Sequence, residues 1–206
     1  IKGGNRPAVV HQARPHDSGA KHVTGEALYI DIPETNPPFS AWLYMAPVMA
    51  SRLTGLTPEI HLYLLIAAAS CAVMWAIVHI SRTYGLIERP HEIVYLLFFV
   101  AIFVLLPYQT FAQRDVIGIT LLVPWLGVQA VRMHFGPAVR IRRLHIALAA
   151  LSGAVFMIIK PHYILTLAGP VLAMAIRRRS IVPPFHSENL LAAAITFAYG
   201  LYFILG

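Results

Sequence analysis

The chain has 206 residues, of which 58% are hydrophobic and only 12% charged, and its mean hydropathy is +0.66. Soluble domains carry about 25% charged residues, so this composition excludes an ordinary water-soluble globule and predicts a polytopic membrane protein. The formal charge of +7 does not indicate a nucleic-acid partner, because nine of the sixteen basic residues gather in three short turns between apolar segments, where they set membrane orientation.

Residues 1–27 are polar, basic and rich in Gly, Pro and His, without apolar periodicity, and are expected to lie outside the membrane. His11, His16 and His22 have neither companion cysteines nor an HExxH helix, so solvated loop histidines are expected and no metal site is assigned. The chain opens Ile1-Lys2-Gly3-Gly4 without Met and ends at Gly206 inside an apolar run, which leads us to expect a piece of a longer protein with at least one upstream membrane helix.

Next comes Tyr29-Ile30-Asp31-Ile32-Pro33-Glu34-Thr35-Asn36-Pro37-Pro38, a concentration of acids and prolines. The apolar run Phe39–Leu53 follows. As a helix it would reach about 22 Å, short of a hydrocarbon core of about 30 Å, and Pro47 stands near its middle. It is expected to lie at the interface, with Trp42 and Tyr44 at headgroup level. Thr57 before Pro58 and Glu59 marks a helix start. The expected organisation is therefore an external loop with an interfacial helix over residues 1–58 and a transmembrane bundle over 59–206.

Ile60–Ile80 is the clearest span, with no formal charge along its length. The lone cysteine, Cys71, is read there as a small packing residue, and one cysteine permits no disulfide framework. A turn with Arg82 and Arg89 leads to the apolar run Ile93–Leu106, which stops at Pro107. The polar turn containing Gln113-Arg114-Asp115 leads to Val116–Val131, and a basic turn with Arg132, Arg140, Arg142 and Arg143 follows.

Residues 146–176 would make a helix of about 46 Å, too long for one crossing. Lys160-Pro161-His162 interrupts them, and a helical hairpin there would bring Arg177–Arg179 to the same side as the arginines before His145, as the positive-inside tendency favours. The turn Ile181–Glu188 and a last span from Asn189 complete the chain. With the basic turns cytoplasmic, the acidic segment, the Gln113–Asp115 turn and the Lys160–His162 turn all face outward.

Asp31-Ile32-Pro33-Glu34-Thr35-Asn36-Pro37-Pro38-Phe39, followed by the Trp/Tyr run, resembles the first external loop of polytopic GT-C class glycosyltransferases, the group of protein mannosyltransferases and aminoarabinose transferases. Phe111–Asp115 and Ile159–His162 are similar to turns in bacterial membrane proteins of this type. The resemblance covers about residues 28–176. Asn36 stands where His is commoner, and the family's first transmembrane helix and most of its C-terminal region are missing.

That resemblance implies a transferase in the bacterial inner membrane that moves a sugar from a polyprenyl-phosphate-linked donor, with inversion, on the external face. Asp31 would be the base and Glu34 its substitute. Asn36, Pro37 and Pro38 would shape the loop over the donor, while Arg114, Lys160 and His162 would hold the lipid phosphate, with Gln113 beside them at the substrate. Some relatives use a divalent metal; the residues here assign no cofactor. From the residues alone, two other readings stand beside this one. Pro124, Pro161 and Pro170 interrupt helices as in transporters of lipid-linked or anionic solutes, and the chain also suits a non-catalytic membrane subunit.

Overall fold

A computed structural model describes residues 21, 23–25, 37–105, 113–136 and 138–205. Among them the chain is all-helical, with seven α-helices: α1 Pro38–Thr54, α2 Pro58–Thr83, α3 Glu92–Val100, α4 Arg114–Phe135, α5 Arg143–Ile159, α6 Ile164–Arg178 and α7 Ser187–Leu205. A π-helical turn, Ala101–Leu105, prolongs α3, and short 3₁₀ turns precede α3, α6 and α7.

Prolines open several of these elements. Pro38 and Pro58 occupy the first turns of α1 and α2, where a missing N–H costs nothing. Gly55 ends α1 in the left-handed conformation at φ 76°, its N–H bonded to the Ser51 carbonyl. Pro161 starts the turn between α5 and α6, and Lys160 before it is extended at φ −147°, ψ 112°, as a residue preceding proline prefers.

The long run after residue 143 is thus a hairpin, as its length and basic ends led us to expect. Its return leg brings Arg178 Nη2 back to the Met133 carbonyl at 3.2 Å, at the C-terminal end of α4.

α4 is the central helix. Trp125, Val128 and Val131 are almost wholly buried and pack with Ile80 of α2, Ala149, Ala150, Ala154 and Phe156 of α5, and Ala192 of α7. Close approach depends on missing side chains. A Cβ at Gly127 would stand 2.4 Å from Ile77 Cδ1, and one at Gly153 would stand 3.1 Å from Trp125 Cδ1.

Pro124 lies inside α4 and interrupts its hydrogen-bond ladder. Ser152 of α5 bridges the neighbouring rung: its hydroxyl donates to the Leu121 carbonyl and accepts from the Trp125 N–H at 3.4 Å.

Two expectations about individual side chains are corrected. Tyr44 does not face a membrane interface; it is 2% exposed and packs with Leu62, Ile66 and Ile117. Trp42 meets Tyr199 and Tyr202 of α7 edge-on at 6.2 and 6.5 Å. Cys71 is exposed and is not a packing residue.

Candidate functional site

The two turns selected from the sequence meet at one end of the bundle. Gln113 is the N-cap of α4, its carbonyl accepting the Ile117 N–H at 3.1 Å, and its own side chain is exposed. Asp115 follows in the first helical turn, where the helix dipole favours an acid.

Lys160 reaches across from the α5–α6 turn and places Nζ 2.5 Å from Asp115 Oδ1. Tyr163 donates its hydroxyl to the same carboxylate oxygen, and the Lys160 ammonium lies 5.7 Å from the Tyr163 ring centroid. The Tyr163 ring stacks on buried Phe156 at 4.4 Å, which anchors the turn to the core. Burial, and then its bond to Asp115, hold the Tyr163 phenol protonated well above the usual tyrosine range. His162 is exposed and meets Tyr163 edge-on at 4.9 Å.

This geometry corrects one inference. Lys160 has no acid near it in sequence, yet Asp115 supplies one in space. Arg114 also acts electrostatically on Asp115, so the cluster holds two fixed cations and one carboxylate.

The acidic segment joins the bundle at this same end. Pro37 is the N-cap of α1 and Pro38 is buried at its start. The Phe39 N–H donates to the Tyr199 hydroxyl at 2.9 Å. Trp125 and Asn189 are bonded to each other, which sets α4 and α7 level at that point. Tyr199 lies about 15 Å up α7 from there, and Asp115 about 15 Å back along α4. Asp31, Glu34 and Asn36 lie outside the described residues, as do His11, His16 and His22.

A second polar cluster, opposite the first, had no counterpart in our reading of the sequence. Arg132 belongs to α4 and not to a solvated basic turn: its Nε lies 2.5 Å from Glu188 Oε1 and its Nη2 2.9 Å from Oε2. Both side chains are buried. Glu188 stands in the first turn of α7. Beside it, Asn189 Oδ1 accepts from Trp125 Nε1 at 3.0 Å and from Gln129 Nε2 at 3.3 Å, while its Nδ2 donates to the Pro183 carbonyl at 3.0 Å.

His186 is buried with Nδ1 3.9 Å from Glu188 Oε1, and burial, then Arg132, push it below the usual histidine range against the opposing pull of Glu188. The available signal was Trp125, Gln129 and Arg132 at positions i, i+4 and i+7 of one helix face. This cluster ties α4 to α7, and its charges are spent on each other.

Among the described residues, no three His, Cys, Asp or Glu side chains are grouped to hold a metal ion. No protein-family model matches the chain, and neither a curated protein nor a solved structure is detectably similar to it.

Proposed function

We propose that this chain is part of a polytopic membrane glycosyltransferase that takes a sugar from a polyprenyl-phosphate-linked donor on the external face of the membrane. The membrane reading is supported by α2 and α4, both long and apolar enough to cross a bilayer. It is also supported by large apolar side chains on outer helix faces: Ile93, Leu97 and Phe98 of α3, Leu165 and Ile176 of α6, and Phe197 of α7 are each more than 60% exposed. Soluble monomers rarely expose contiguous apolar patches beyond a few hundred Å².

The observation that carries the functional reading is the Asp115–Lys160 ion pair, which unites two turns far apart in sequence at the end where the Pro37-Pro38 segment enters. In sugar transfer from a lipid phosphate, negative charge grows on the departing phosphate. Cations held in place before reaction stabilise that charge more than they stabilise the ground state. Here Asp115 and Tyr163 orient Lys160, and Lys160, Arg114 and His162 hold the phosphate. Asp31, with Glu34 as its substitute, takes the proton from the acceptor hydroxyl. Asn36, Pro37, Pro38 and Gln113 shape the entrance.

Binding of a polyprenyl phosphate to the purified protein tests this. Lys160→Ala should weaken it by about tenfold, a loss of about 1.4 kcal/mol. Lys160→Arg should recover part of the loss by keeping the charge in an altered geometry. Equal affinity for wild type, Lys160→Ala and Arg114→Ala would remove the phosphate site from these turns.

A further inference from the structure

The groove between α2 and α3 belongs to neither polar cluster. It is open along its length, has a volume of about 300 Å³ and is lined by Cys71, Met74, Trp75, Val78, His79 and Arg82 of α2, with Leu96 of α3 opposite. The α2 residues recur every three or four positions, so they form one stripe along the helix. From Cys71 to Arg82 that stripe runs about 16 Å, close to half of a hydrocarbon core of about 30 Å. Cys71 is near the middle of α2 and Arg82 is in its last turn, so the groove has the length and direction of one leaflet.

Its polarity is graded in the same direction. The deep end is Cys71 and Met74. Trp75 and His79 stack above them, ring centroids 5.3 Å apart and planes within 7°, so polarity rises from the deep end toward Arg82. Arg82 closes the groove at the end where the basic turns gather, its side chain 45% exposed. Its Nε stands 3.0 Å from Glu92 Oε1 in an ion pair without hydrogen-bond geometry, which steadies the guanidinium and leaves its N–H donors for a ligand.

We propose that this groove holds one anionic phospholipid, with its phosphate on Arg82 and an acyl chain lying along Trp75 and Met74 to Cys71. The charge and planar fork of arginine match a phosphate diester, and basic pockets at helix ends recognise such headgroups. The proposal rests on the membrane reading above but not on sugar transfer.

Native mass spectrometry of the delipidated protein, titrated with phosphatidylglycerol or phosphatidylcholine, tests it. One phosphatidylglycerol adduct is expected, favoured about fivefold over phosphatidylcholine, the worth of one arginine at an anionic headgroup. Arg82→Gln should abolish that preference, and Cys71→Phe, which fills the deep end, should reduce binding of both lipids. Lys160→Ala should leave the adduct intact. An adduct indifferent to Arg82→Gln and Cys71→Phe, or one lost only in Lys160→Ala, overturns the site. Partition of the protein into the aqueous phase of a phase-separating detergent would refute the membrane reading and this site together. A protein that stays with the detergent yet binds no phospholipid through Arg82 refutes the site alone.

Discussion

Replacing Glu188 by alanine takes away the carboxylate that pairs with the Arg132 guanidinium inside the bundle. The two side chains are 0% and 6% exposed and share two hydrogen bonds, at 2.5 and 2.9 Å. The contact from Arg132 Nη1 to the Val139 carbonyl, at 3.4 Å, brings no negative charge to replace the carboxylate. Removing one partner of a buried pair costs about 3–5 kcal/mol, because the remaining charge keeps its desolvation penalty and loses its compensation. For a chain of this size each kcal/mol moves the thermal midpoint by about 2–4 °C, so Glu188→Ala should lower it by about 6–20 °C. Trp125, bonded to Asn189 next to Glu188, reports the transition through its fluorescence in detergent. Replacing both charges by apolar side chains, Arg132→Met with Glu188→Leu, should recover most of the loss, and the double-mutant cycle gives the coupling. A Glu188→Ala midpoint within about 2 °C of wild type would refute the buried pair.

Three further outcomes follow from the packing and the charges. Gly127→Ala should cost about 1–3 kcal/mol by driving a methyl group into Ile77, whereas Gly169→Ala, with open space around it, should hold or raise the thermal midpoint; equal midpoints would deny the close α2–α4 contact. The depressed folded-state pKa of His186 means that the unfolded chain takes up the proton first, so stability should be full above about pH 6.5 and fall as the pH is lowered further. His186→Phe should flatten that slope, and an unchanged slope would assign the pH dependence elsewhere. Single cysteines replacing Gln113 and Arg140, both exposed, should label from opposite sides of the membrane in a Cys71→Ala background; labelling of both from one side would overturn the topology.

Where the chain turns was legible in the sequence. Pro58 marks the start of α2 and Lys160-Pro161 marks the reversal between α5 and α6, because proline restricts its own backbone and that of the residue before it wherever it stands. The hairpin also followed from length, since 31 apolar residues with one interruption exceed a single crossing. Even the meeting of the Arg114 and Lys160 turns could be anticipated from the number of reversals between them.

Rotation about each helix axis was not legible. α2 is apolar around most of its circumference, so its sequence offers no broad polar face to say which side packs and which is exposed. Cys71 therefore read as packed and is exposed, while Tyr44 read as interfacial and is buried. Partner choice was hidden for a related reason. Arg132 and Glu188 are 56 residues apart, and Tyr163 and Asp115 are 48 apart, so each pairing depends on which helix lies beside which and at what height. Only the assembled bundle supplies that: it desolvates Arg132 and Glu188 together, making their pairing obligatory, and it brings the Lys160 turn within reach of Asp115.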